Sequence, residues 1–126
     1  MKTLTKTEEC CFQGDITFQR VPMTSVDLSQ YQETKEQASG RPVVVRSYSG
    51  HHHVASNNAR VLHAPDRLTG LIVFGGEEPA IVSHLRDVAQ HEPIAFEASG
   101  LNEDLTVIKF FRQLETMPDG LRPVED

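Results

Sequence analysis

Short apolar or alternating runs that recur at close spacing limit the folds open to this chain more than any other feature. Six such runs cover residues 43–46, 52–55, 60–63, 71–74, 80–84 and 94–97. Turn-forming pairs lie between or after most of them, namely Ser49-Gly50, Asn57-Asn58, Pro65-Asp66, Gly75-Gly76 and Ser99-Gly100. Several short strands at this spacing are typical of a barrel or a sandwich. We therefore predict an all-β, mostly antiparallel fold, as a small β-barrel or sandwich.

Two further segments fit the same fold. Residues 16–21 alternate apolar and polar side chains and end at Pro22, which predicts a half-buried strand. Residues 105–114 are apolar on both faces, as in a central strand. We expect three side chains of this segment among the most buried, namely Val107, Ile108 and Phe110.

The polar segments predict at most one or two short helices. One interpretation of residues 25–36 is a short helix, and the other is a long loop. Residues 85–90 could add a single helical turn between strands. Residues 1–11 are polar and form an arm that stays loose unless an edge strand or a partner captures it. The remaining residues, 12–126, suffice for a single β-rich domain.

Charge, composition and cysteine placement restrict the partners and the cellular compartment that we expect for this protein. The chain has 12 Lys and Arg against 18 Asp and Glu, a net charge of −6, and its basic residues form no stripe. Because nucleic-acid affinity depends on clustered positive charge, we expect no nucleic-acid partner. Residues 71–74 are too short to span a bilayer, and the amino terminus lacks the apolar core of a signal peptide. Cys10 and Cys11 are adjacent and poorly placed for a mutual disulfide, so we predict a cytoplasmic protein without a membrane partner.

All six histidines lie between positions 51 and 91. If residues 50–55 are extended, His51 and His53 share one face of the strand and His52 lies on the other. Residues two apart on a strand are roughly 6.5 to 7 Å apart, so two leaning imidazoles can reach about 2.1 Å from one metal ion. The His51/His53 pair therefore forms half of a candidate metal site.

A complete site needs more ligands, and the nearest strand ends offer His84 and His91, with His63, Glu92 and Glu97 as further candidates. Imidazole-rich sites suit Zn, Cu, Ni or Fe. Three histidines with an open position would allow metal-assisted hydrolysis or oxygen chemistry, and four closed ligands would be structural. Two alternatives stay open: the histidines lie in exposed or polar positions, or one of them acts without metal as an acid or base.

Four motifs in chain order resemble a family of short, largely uncharacterised proteins of bacteria and their phages. They are Gln13-Gly14-Asp15, Gly50-His51-His52-His53, His91-Glu92-Pro93-Ile94, and Arg112-Gln113-Leu114-Glu115 followed by Pro118, Arg122 and Asp126. The resemblance directs attention to His51, His53 and His91. That family often carries a histidine where this chain has Val88, so His84 is the candidate replacement. The His-x-His pair with a later His is also similar to the cupin metal arrangement, without the cupin Glu, and implies a cupin-like topology.

Three functions are compatible with these features. The first is a small β-barrel binding or accessory module, phage-encoded by the resemblance, that engages a protein or a small-molecule ligand without catalysis. The second is a metal-dependent, cupin-like enzyme that uses the His cluster, and the third is a structural or virion-associated protein. We also expect a homo-oligomer, because pairing an exposed strand edge with another copy is a common way to protect it.

Overall fold

The computed structural model describes residues 2–4, 10–13, 15–46, 52–66, 68–74, 78–85, 93–97, 106–112, 114–117 and 120–123. These residues form an all-β structure of two six-stranded sheets and one separate hairpin. In order across the first sheet, the strands are β1 (Lys2–Leu4), β11 (Ile94–Phe96), β10 (Ala80–His84), β7 (His53–Ala55), β6 (Arg41–Val45) and β5 (Gln37–Ala38). In the second sheet they are β2 (Cys10–Gln13), β3 (Ile16–Pro22), β12 (Thr106–Arg112), β9 (Thr69–Phe74), β8 (Ala59–His63) and β4 (Gln32–Glu33).

Every described strand pair is antiparallel except β1 with β11, so the prediction of a mostly antiparallel all-β fold is confirmed. The two sheets do not close on each other in the described part of the chain, which makes the fold a sandwich. The alternative of a closed barrel is therefore wrong, and the cupin-like topology stays an expectation. The hairpin consists of β13 (Leu114–Met117) and β14 (Gly120–Pro123).

All six apolar runs of the sequence correspond to strands, with boundaries shifted by a few residues at most. The strand predicted at residues 105–114 is β12, which lies between β3 and β9 as a central strand. Its Val107, Ile108 and Phe110 are each 1% exposed or less, as predicted. The arm at residues 1–11 contributes β1 and the start of β2, so edge strands take up its described parts.

Most of the core lies between the two sheets. Phe18 of β3 is at its centre, with ring centroids 5.4 Å from Phe96 of the first sheet and 6.3 Å from Phe110 of β12. A smaller apolar cluster covers the opposite face of the second sheet: Val21, Leu62, Leu71 and Val107, with Met23, Val26, Tyr31 and Val73 packed against it. Because β12 contributes to both clusters, its apolar pattern on two faces has a direct structural cause.

Of the two interpretations of residues 25–36, the short helix is wrong. This segment contains two 3-10 turns, Met23–Ser25 and Leu28–Gln30, followed by β4 and β5. The Asp27 side chain accepts a hydrogen bond from the Ser29 backbone N–H at 3.1 Å, which gives that N–H an alternative to a helical bond. The sheet edges then supply backbone partners for the rest of the segment. Among residues 85–90, only Leu85 is described, so the second predicted helical turn lies outside the described residues.

A tight hairpin turn connects β5 and β6. Ser39 and Gly40 have φ values of 53° and 72°. Two successive positive φ values are typical of the type I′ turn, whose twist matches that of an antiparallel hairpin. Among the described residues, no helix has the length and apolar character needed to cross a membrane.

Candidate functional site

Two buried histidines face each other on neighbouring strands of the first sheet. His53 of β7 and His84 of β10 are register partners, and their ring centroids are 4.6 Å apart. The two residues are 1% and 5% exposed. The structure therefore brings together two of the four histidines that the sequence singled out, on the inner face of the sheet.

A glutamine from the opposite sheet holds one of these rings. Gln13 of β2, itself 1% exposed, donates through Nε2 to the Val82 carbonyl at 3.1 Å and has its Oε1 2.7 Å from Nδ1 of His53. An amide oxygen only accepts, so Nδ1 of His53 carries the hydrogen. The contact also joins two of the sequence motifs, because Gln13 begins one and His53 ends another. The Gln13–His53 hydrogen bond thus fixes the tautomer of a buried imidazole from across the sandwich.

Two other polar side chains of the second sheet reach across to the first. The buried guanidinium of Arg20 donates to the Glu97 carbonyl, and Nε2 of His63 lies 2.8 Å from the Val44 carbonyl. Sliding one sheet over the other would leave such groups buried without these partners, at a cost of about 1–3 kcal/mol for each group. Gln13, Arg20 and His63 therefore specify how the two sheets are aligned.

The predicted metal site is only partly covered by the described residues. His51, His91 and Glu92 lie outside them. His63 is separate, packed edge-on against the Phe110 ring with centroids 5.8 Å apart, and Glu97 is exposed. Within the described ranges, no three His, Cys, Asp or Glu side chains come close enough to hold a metal ion. The four-histidine metal site stays a prediction, of which the structure shows one adjacent pair.

A polar cleft lies along β4, at the edge of the second sheet that is opposite β2. It has a volume of about 570 Å³ and is lined by residues 29–36 and 63–65. Ligand sites commonly occupy about 300–1,000 Å³. Most of the lining side chains carry hydroxyl, amide or charged groups. Strand β4, the outermost described strand of this sheet, lies within the lining segment.

The backbone of β4 has a defined orientation. The Thr34 N–H donates to the Val61 carbonyl at 2.8 Å, and the same register pairs Glu33 with Leu62. In an antiparallel ladder, alternate residues bond to the neighbouring strand and the residues between them direct their peptide groups to the other side. The N–H and C=O of Glu33 therefore point away from β8, toward the outer edge of the sheet.

Ion pairs surround this edge. The Glu33 carboxylate accepts from Nε of Arg60 at 2.8 Å and from a terminal guanidinium nitrogen at 3.4 Å. This hydrogen bonding lowers the pKa of Glu33 and raises that of Arg60. Glu36 lies 3.4 Å from Arg46. Each acid of the segment thus has an arginine neighbour, and Lys35 lies exposed between them.

No protein-family model matches the chain, and searches of curated proteins and of solved structures found no match. The resemblance to short bacterial and phage proteins accordingly stays an expectation. The β4 edge and the cleft beside it are the basis for a functional proposal.

Sequence reasoning missed the β4 edge. The segment around residues 31–36 is uniformly polar apart from its first residue, and only the local order Tyr31-Gln32-Glu33 hints at a strand. No apolar alternation marks β4, because one of its sides faces the cleft and only Tyr31 packs on the small core cluster.

Proposed function

We propose that this chain is a non-catalytic binding module that engages a protein partner by adding a strand to the outer edge of β4. The observation that carries the proposal is the outward-directed peptide group of Glu33 beside the 570 Å³ cleft. An edge strand with available N–H and C=O groups is a template for an extended peptide, which gains affinity from main-chain hydrogen bonds.

The cleft beside β4 supplies specificity, which main-chain hydrogen bonds alone do not give. Strand addition takes its specificity from pockets that accept alternate side chains of the incoming segment. The cleft walls combine an aromatic side chain, Tyr31, with the charges of Glu33, Lys35 and Glu36. A partner segment of mixed polar and charged composition fits this lining.

Substitution by proline tests the orientation of the edge. Glu33→Pro removes the outward N–H and leaves the ladder with β8 intact, because proline is tolerated where the N–H faces away from the sheet. Thr34→Pro is the matched control, since it removes the N–H that donates to Val61. We expect Glu33→Pro to melt within about 3 °C of the wild type, and Thr34→Pro to melt clearly lower because it loses a ladder bond.

Binding is tested with a displayed library of random octapeptides selected on the wild-type protein. Peptides that add to β4 should bind Glu33→Pro about tenfold more weakly, the effect of losing one hydrogen bond together with the clash of the ring. Glu33→Gln, which keeps the N–H, separates the backbone contribution from the charge. Selected peptides that bind Glu33→Pro as tightly as the wild type, or a library that yields no binder, would contradict the proposal.

A further inference from the structure

We infer that the strand added at this edge is β4 of a second copy of the same chain, in one specific register. This inference rests on the proposed function, because it names the partner of the same edge. A two-fold axis would place the same patch of both copies in contact and join their second sheets into one continuous sheet.

The alternating direction of the peptide groups along β4 allows few registers with a second copy. Residues whose peptide groups point outward must lie opposite outward residues of the other copy, and outward residues recur every second position. Glu33 is outward, and its neighbours two positions away, Tyr31 and Lys35, follow the same alternation. Lys35 lies between two residues that bond to neighbouring strands, because the Thr34 N–H donates to the Val61 carbonyl and the Glu36 carbonyl accepts from the Val43 N–H at 3.1 Å. Three symmetric pairings follow, in which Glu33 lies opposite Tyr31, Glu33 or Lys35 of the second copy.

Hydrogen bonding and charge distinguish the three pairings. The Tyr31 N–H is already used, because it donates to the Leu28 carbonyl at 3.1 Å, so the first pairing loses bonds. The second sets two Glu33 carboxylates directly opposite each other, and like charges in that position are destabilising. The third sets Glu33 opposite Lys35 twice, by symmetry, with Thr34 on the two-fold axis.

Charge complementarity therefore selects the Glu33–Lys35 register. Both side chains are exposed in the single chain, so neither must leave a buried position to pair. Glu33 would lie between Arg60 of its own copy, at 2.8 Å, and Lys35 of the other. The cleft of each copy would then be bordered by the second copy's edge strand.

Sedimentation of the full chain with reversed charges tests the register. We expect the wild type to pass from a 14.1 kDa monomer to twice that mass as its concentration rises through the micromolar range. Glu33→Lys alone and Lys35→Glu alone each turn two attractive pairs into repulsive ones and should raise the dimer dissociation constant about tenfold. An equimolar mixture of these two variants, or the double variant Glu33→Lys/Lys35→Glu, restores opposite charges and should return it close to the wild-type value.

The outcomes separate this inference from the function on which it rests. A wild type that stays monomeric, while selected peptides bind in a manner sensitive to Glu33→Pro, overturns the second copy as partner and leaves the binding module standing. A dimer that persists in Glu33→Pro and in both single charge variants overturns the inference, because the copies then meet elsewhere. Failure of both the dimer and the peptides overturns both. Thermal melting of each variant shows whether it has folded.

Discussion

Gly70 occupies a position where no side chain fits, and its replacement by alanine should be among the most damaging small changes in the sandwich. A Cβ atom at this position would lie 2.5 Å from the backbone oxygen of Leu62 and would also overlap the Phe110 ring. Gly70 is the register partner of both Phe110 on β12 and His63 on β8. The glycine thus allows the aromatic ring to lie over the backbone of β9.

The magnitude follows from which atoms could move. The Leu62 carbonyl belongs to a strand paired on both sides, by β9 and β4. The Phe110 ring is 1% exposed and is held by Phe18 and His63. Overpacking a core usually costs about 1–3 kcal/mol, and because neither neighbour can yield we expect Gly70→Ala to reach about 3 kcal/mol. At about 4 °C per kcal/mol for a domain of this size, the melting temperature should fall by about 12 °C.

Gly40→Ala is the matched control, measured by the same thermal and denaturant unfolding. Gly40 has a φ of 72°, and no atom lies within 4 Å of the point that a Cβ would occupy, so its replacement meets backbone strain and no steric overlap. That strain costs about 1–2 kcal/mol. We expect Gly70→Ala to be the more destabilising of the two. A Gly70→Ala protein that melts within about 2 °C of the wild type would refute the packing argument.

Two further predictions concern the histidines and the carboxyl group of Asp27, which caps the 3-10 turn Leu28–Gln30. The metal hypothesis drawn from the sequence predicts near-stoichiometric transition metal in protein purified without an affinity tag. His51→Ala and His53→Ala should each release most of that metal, and His52→Ala should release little, because its side chain lies on the other face of the strand. Elemental analysis that finds the wild type free of metal would reject that hypothesis. Hydrogen bonds from Ser29 hold the pKa of Asp27 below its usual 3.8. The ionised Asp27 carboxylate therefore stabilises the folded protein above pH 3.8. This contribution is lost as the pH falls through the lower pKa that Asp27 has in the folded protein. An NMR titration should show the low pKa in the wild type and a return toward 3.8 in Ser29→Ala, and an unchanged pKa would contradict the assignment.

The strands that build the core were predictable because the sequence of each one carries its own evidence. Residues 80–84 begin with the apolar run Ala80-Ile81-Val82 and form β10 with those bounds. The two apolar faces of β12 correspond to the two clusters that it contacts. In such segments the side-chain pattern indicates which face of the strand is buried, because side chains two positions apart lie on the same face. The sequence also singled out His53 and His84, although it did not indicate that they would be register partners.

The pairing of the strands, and therefore both candidate sites, depended on tertiary structure. Gln13 reaches His53 only because two sheets pack face to face, and nothing in the sequence indicates this contact across a separation of 40 positions. Strand β4 has no apolar pattern of its own and exists because the edge of β8 offers hydrogen bonds to the Thr34 backbone. Local sequence thus determined which segments form the core strands, through the burial of their side chains. Only the assembled sandwich decided which strands lie at its edges and which polar groups meet inside it, because backbone hydrogen bonds and inter-sheet contacts form between residues that are distant in the chain.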